Sequence, residues 1–400
     1  METYGQGSSV AGGSVFPGSG FQNPMLTILA PAARAEYRRH RMHDSSTQPR
    51  LSVVFVVRGH LANIQRTLHC LLAQTAAAQI DFILSSDSPP LLREAESFLA
   101  PRARFARSRF LLHQTSINRA RRLSAAVATG DVVAFNEDHC FPESNWAEEL
   151  LVAFESSENI HAAAPVMLNP HPESVVSRAQ FLLFHGLHGM HGSGPNPLRF
   201  EHAATLPWHN TAYRRSVLPE ASDDEDLFQT ESFLQDNIRA ARPNARFVRC
   251  TQTSLTHVNM TRLAPALGHA FHAGRMYGSH RARRQGWGVP RKLFHFGIFP
   301  AIALLKLVRW ASVLSDRNSL PQTLSTFSTA SLLAVAHALG ESVGACLGAG
   351  RSLSALAEFE FDRCRFLRPA EWHLLLADEN PPQEHPAAGT ECGSFAGRST

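Results

Sequence analysis

From Leu51 the chain reads LSVVFVV (51–57), an almost unbroken apolar run without polar alternation. Such a run predicts a strand buried on both faces. Leu61, Ile64, Leu68, Leu71 and Leu72 then recur at helical spacing, which predicts a helix over 61–74. IDFILS (80–85) is the next apolar run. Residues 117–129 place Ile117, Ala120, Ser124, Val127 and Ala128 on one helical face, with Gly130 as the stop. DVVAF (131–135) and HAAAPVM (161–167) read as buried strands. Asn145 followed by Glu148 has the form of a capping box opening the helix WAEELLVAF. Strands alternating with helices predict a parallel sheet covered by helices, whose ligands sit beyond the carboxyl ends of the strands. Those ends carry Arg58-Gly59-His60, Ser86-Asp87 and Glu137-Asp138-His139. Polar residues at three strand ends suit a nucleotide and a metal, although each end by itself reads equally well as a loop.

The pattern changes outside this core. Residues 1–48 are rich in Gly, Ser and Pro and predict a disordered lead-in, and 366–400 predict a flexible tail. Two apolar stretches, 293–310 and 331–348, approach the roughly 18–20 residues that span a bilayer. His295, Pro300 and Lys306 interrupt the first, and His337 and Glu341 the second. Arg275, Arg281, Arg283, Arg284, Arg291 and Lys292 precede or border the first stretch. Helices lying on an anionic membrane surface fit this arrangement better than true spans, and a helical subdomain that never meets lipid is the alternative.

Composition narrows the classes further. An apolar fraction of 44% supports a sizeable core, and a net charge of +4 argues against a nucleic-acid protein. The positive charge is nearly all arginine. The six cysteines form no CxxC pair, and the N-terminal residues show no basic-then-apolar leader, so a reduced, cytoplasmic protein is expected. HGLHGMHG (185–192) invites a zinc hypothesis. Steps of three do not put His185, His188 and His191 on one helical face, so a flexible loop near an acceptor is preferred over zinc.

Taken in order, the motifs resemble family 2 glycosyltransferases. SVVFVV, a helix and FILSSDS are similar to that family's opening. Ala120-Arg121-Arg122 followed by Ala128-Thr129-Gly130-Asp131 resembles its A-R-N…A-x-G-[DE] segment. FNEDHCFPESNW (135–146) resembles its acidic triplet with the later Pro142 and Trp146. Trp208-His209-Asn210-Thr211-Ala212-Tyr213-Arg214-Arg215 resembles its N-x-A-[FY]-R-R segment, and Glu231 takes the place of its late acidic residue. The resemblance covers about residues 51–290. Four positions depart from it: Ser86 for an acid, His139 for the third acid, Arg122 for Asn and Ser124 for Gly.

The resemblance implies an α/β GT-A fold, Rossmann-like, with a mostly parallel sheet, helices on both faces and a C-terminal helical region. Its domains would be 49–262 for the GT-A part and 263–365 for the helical, membrane-associated part. It implies an inverting transfer of a sugar from a nucleotide-sugar donor to a saccharide or lipid-linked acceptor, assisted by Mg²⁺ or Mn²⁺. Arg58, Asp87, Arg121, Asp138 and Asn210 would bind the nucleotide-sugar. Glu137, Asp138, His139 and His257 would hold the metal, with Asp138 the foremost, and Glu231 would be the catalytic base. Partners would be the donor, the acceptor and an anionic membrane surface on the inner face of the cell membrane, with no nucleic acid. The alternative is a non-catalytic nucleotide-sugar-binding protein with a degenerate metal motif, which Ser86 and His139 would favour.

Overall fold

The computed structural model describes residues 48–102, 104–186, 198–207, 209–219, 231–314, 320–361 and 363–376. The lead-in 1–47 and most of the histidine-glycine loop lie outside them. Among the described residues, nine strands form one mixed sheet in the order β3-β2-β1-β4-β8-β6-β9-β5, with β7 paired to β9. The strands are β1 (Leu51–Val57), β2 (Ile80–Ser86), β3 (Arg107–Leu112), β4 (Val132–Asn136), β5 (Cys140–Pro142), β6 (Ile160–Leu168), β7 (Phe200–His202), β8 (Ala212–Arg214) and β9 (Arg246–His257). β1, β2, β3 and β4 pair in parallel, as do β6 and β9. The antiparallel β8 inserts between β4 and β6.

The β1 run alternates between two cores. Leu51, Val53, Phe55 and Val57 pack with helices α1 (Leu61–Leu72), α2 (Pro89–Leu99) and α4 (Trp146–Ser156). Val54 and Val56 pack on the other face with α3 (Ile117–Ala126) and α6 (Glu231–Ala241). Burial on both faces explains why the strand lacks polar alternation. The remaining early helix, α5 (Val175–His185), joins a third core on the helical region.

Local chemistry corrects parts of the sequence reading. α3 ends at Ala126, before Gly130. Gly130 instead lets two segments touch: a Cβ there would lie 2.6 Å from the Ser52 nitrogen. The expected capping box does not form. Asn145 donates to the Gln252 carbonyl at 2.9 Å, and Glu148 accepts from Thr75 at 2.9 Å. Pro89-Pro90 opens α2, because proline fits the first turn, where its missing N–H costs nothing. Among the described residues Cys70, Cys140, Cys250 and Cys346 are free thiols.

Beyond β9 come α7 (Leu263–Arg284), α8 (Val289–Gly297), α9 (Phe299–Leu314), α10 (Leu320–Leu347) and α11 (Ser352–Phe361). The apolar stretch 293–310 is thus two helices broken at Ile298. α10 is long and apolar enough to cross a membrane, but half of its apolar window is buried inside the protein. It crosses α7 at backbone contact. Cβ atoms on Gly274, Gly278, Gly340 and Gly344 would each lie within about 2 Å of a carbonyl oxygen on the facing helix. Replacing Gly278 by leucine is therefore expected to push the helices apart and cost more than the roughly 1–3 kcal/mol of ordinary overpacking. A thermal melt tests this; an unchanged midpoint would contradict the contact.

The buried Glu341 ties the same helices by charge. Its carboxylate lies 3.2 Å from Arg281, 3.5 Å from His295 and 3.8 Å from Lys306. Burial alone would raise the carboxyl, but the His295 hydrogen bond and the Lys306 charge outweigh it and hold the group at about 2. The polar interruptions noted in the sequence thus point inward. Past α11 the chain stays packed beyond residue 365, where a loose tail was expected. Short 3₁₀ turns form at Arg363–Phe366 and Pro369–Leu374, and Arg66 donates to the carbonyls of His373 and Leu374.

Candidate metal and donor site

Parallel pairing brings the ends of β1, β2 and β4 side by side, and β5 turns back from β4 to pair with β9. That turn places Glu137, Asp138 and His139 opposite His257, the last residue of β9. Glu137, His139, Cys140 and His257 each offer a ligand atom, all within 4.8 Å of one another and all buried. Three of these four are among the residues proposed for the metal; Cys140 is additional.

Hydrogen bonds fix the orientation of both imidazoles. Asp138 Oδ1 accepts from His139 Nδ1 at 2.8 Å, and Asn259 Oδ1 accepts from His257 Nδ1 at 3.1 Å. Both Nε2 lone pairs therefore face the cluster. Carboxylates and amides behind a ligating histidine set its tautomer in this way. Asp138 thus stands behind His139, outside the four-atom group. Burial lowers the basicity of His139 and His257, with Arg363 adding to it for the first and His185 for the second. Neutral imidazoles are the form that ligates.

Glu137 anchors the other side. It accepts from Asn210 at 2.7 Å and lies 3.8 Å from Arg121, 3.7 Å from His257 and 3.8 Å from His139. Burial, then the neighbouring Glu360, pushes its carboxyl up to about 8. Burial acts on Glu360 too, but a hydrogen bond with His269 and the charge of Arg363 hold it well below the usual range. Burial also raises the Cys140 thiol well above its normal value.

The residues expected to bind the nucleotide-sugar occupy two places. Arg121 donates to His209 Nε2 at 2.5 Å beside Glu137, so Arg121, Asn210 and the Glu137–His139–Cys140–His257 group form one buried centre. His209 has a positive φ of 55°, a conformation that non-glycine residues hold only under constraint from their surroundings. Arg58 and Asp87 form a separate, partly exposed ion pair at 2.8 Å, at the ends of β1 and β2. Glu231 opens α6, as the motif order implied.

Four contributors escaped the sequence reading. Cys140 looked like an ordinary core residue. Glu360, Arg363 and His269 come from the helical region: Arg363 donates to His139 Nε2 at 2.6 Å, and His269 lies 3.8 Å from Glu360. No local motif marks them.

Residues 52–221 match the model of glycosyl transferase family 2. The fold is mixed α/β with a C-terminal helical region. Similar solved structures include S. aureus TarS 1–349, at 11% identity and a TM-score of 0.37, over 58% of this chain and 65% of that one. Another is GalNAc-T7 with UDP, GalNAc and Mn²⁺, at 15% identity and a TM-score of 0.39, over 52% of this chain and 43% of that one. The chain thus covers less than two thirds of either. No curated protein sequence matches it.

Proposed function

We propose that the chain is an inverting, metal-assisted glycosyltransferase that moves a sugar from a nucleotide-sugar to a saccharide or lipid-linked acceptor. The observation that carries this is the buried Glu137–His139–Cys140–His257 cluster, three of whose residues lie in the segment that matches family 2. Two oriented imidazole lone pairs and a carboxylate fit a divalent cation, and imidazole donors favour Mn²⁺ over Mg²⁺. A bound cation would act as a Lewis acid toward the departing diphosphate. Arg121 would add fixed positive charge beside it, and Asn210 would hold Glu137 in place. Arg58 and Asp87 would take the nucleoside. Glu231 would remove the acceptor proton; a single base in direct displacement gives inversion.

A panel of nucleotide sugars, assayed for release of nucleoside diphosphate with and without Mn²⁺, tests the reading. Cation-dependent release supports it. Binding without release would favour the non-catalytic alternative.

The helical region supports a peripheral contact with an anionic membrane surface. Val289, Leu293 and Phe294 on α8 and Leu304, Leu305 and Val308 on α9 are all exposed large apolar side chains. Arg291 and Lys292 share α8 with the first three. Amphipathic helices of this kind bind through apolar insertion and basic charge together. The inward ties of Glu341 argue against α10 as a span. Binding to vesicles containing anionic lipid should weaken as salt rises, because screening shortens the reach of surface charge. Flotation at low and high salt measures this, and no binding at low salt would remove the membrane from the partners.

A further inference from the structure

α11 and the turn after it lie on the proposed donor site. Ala357 and Phe361 of α11 belong to the same apolar cluster as Val54 and Val56 of β1, Ile117 of α3 and Phe135 of β4. The Arg58 guanidinium sits over the Phe361 ring, 5.1 Å from its centroid, while pairing with Asp87. Arg363, 5% exposed, donates to the Nε2 lone pair of His139 that a cation would need. Glu360 lies 3.8 Å from Arg363 and 4.0 Å from His139. The space left between Arg121, His209, Leu356 and Glu360 is about 10 Å³. That holds roughly one water, whereas small-molecule sites run to about 300–1,000 Å³.

The segment also has a hinge. Between α10 and α11 the chain passes Gly348 (φ 78°) and Gly350 (φ 54°), left-handed conformations that glycine adopts without cost. At its far end the segment is held by backbone polar contacts and by Cys364 in a small apolar cluster with Phe141 and Val258. Thr261 N and Arg262 N donate to the Phe366 carbonyl at 3.2 and 3.3 Å, and Arg262 donates to the Arg365 carbonyl at 2.9 Å.

We propose that Ser352–Phe361 and Arg363–Phe366 form a displaceable strap, in which Arg363 holds the cation's ligand atom on His139 and Phe361 fills the nucleoside cleft. Divalent cation and nucleoside diphosphate bind by displacing it. The proposal rests on the metal reading of the cluster. It converts a buried guanidinium, at first sight an odd guest in a cation site, into the resident counter-charge of the closed state. A strap closed about nine-tenths of the time lowers apparent affinity about tenfold, because only the open fraction is competent.

The test uses the full chain and MnCl₂ alone, by titration calorimetry, on wild type and Arg363→Gln. The variant is expected to bind Mn²⁺ about tenfold more tightly, given the same arithmetic. Amide exchange on the wild type provides a second readout that needs no variant. Mn²⁺ with an equimolar mixture of UDP, GDP, CDP and dTDP should accelerate exchange across Ser352–Phe361. Equal or weaker Mn²⁺ binding by Arg363→Gln, or unchanged protection at saturation, overturns the strap while leaving the metal site standing. Mn²⁺ binding by neither protein overturns both.

Discussion

His257→Ala is expected to remove most of the divalent-cation affinity, and Asp138→Asn to remove only part of it. His257 presents Nε2 to the cluster from the end of β9 and stands among the four converging ligand atoms. Asp138 acts one step back, through the Nδ1 proton of His139. Loss of such a supporting partner typically costs about 10–100-fold in metal affinity, and loss of a ligand should exceed that range. The order His257→Ala worse than Asp138→Asn is thus the signature of this geometry. The acidic triplet read as sequence alone ranks Asp138 first. Calorimetric titration of Mn²⁺ into both variants, with melting curves to check that each is folded, separates the two orders. Asp138→Asn losing more than His257→Ala would mean that Asp138 turns into the cluster and ligates directly.

Glu231→Gln is expected to lower kcat by about 10²–10⁴ while leaving donor affinity close to wild type, as for a general base. The base acts on the acceptor proton and not on the diphosphate, so the two constants should separate. Glu231 opens α6, behind the Asn210–Arg215 segment in chain order. Gln preserves volume and a hydrogen-bond acceptor but takes no proton at neutral pH. A glutamate that only stabilised a helix end would cost about 1 kcal/mol of stability or less and little activity. Steady-state kinetics on an identified substrate pair decide between them. More than about a tenth of wild-type kcat remaining would fall short of the general-base range and defeat the assignment. Attention would then shift to Glu360, since Asp236 faces solvent and pairs with Arg239 at 3.6 Å.

Much of the α/β sheet was legible because its strands are buried on both faces and its helices carry clear apolar stripes. β3 was not: RSRFLL mixes two arginines into an edge strand, so its pattern resembles a loop. α2 was hidden by Pro89-Pro90, which reads as turn chemistry until the helix behind it is seen. The site divides along the same line. Glu137 and His139 follow a buried strand and were found at its end, whereas His257, at the end of β9, came only from the resemblance. Cys140 was passed over because a buried cysteine is ordinarily just core. Arg363 reaches His139 across 224 positions of sequence, and such a contact leaves no spacing to detect. The capping box at Asn145 failed for a related reason: tertiary partners at Gln252 and Thr75 claimed both side chains.

The central claim is that a nucleoside diphosphate and a divalent cation meet at the Glu137–His139–His257 cluster. The most direct measurement is a thermal-shift panel of UDP, GDP, CDP and dTDP on the full chain, each with and without Mn²⁺. A ligand that binds only the folded state, present at about 100 times its Kd, stabilises by roughly 2.7 kcal/mol. One base is expected to raise Tm when Mn²⁺ is present, with the shift lost in His257→Ala. A shift of equal size without cation, or one that survives in His257→Ala, would contradict the claim.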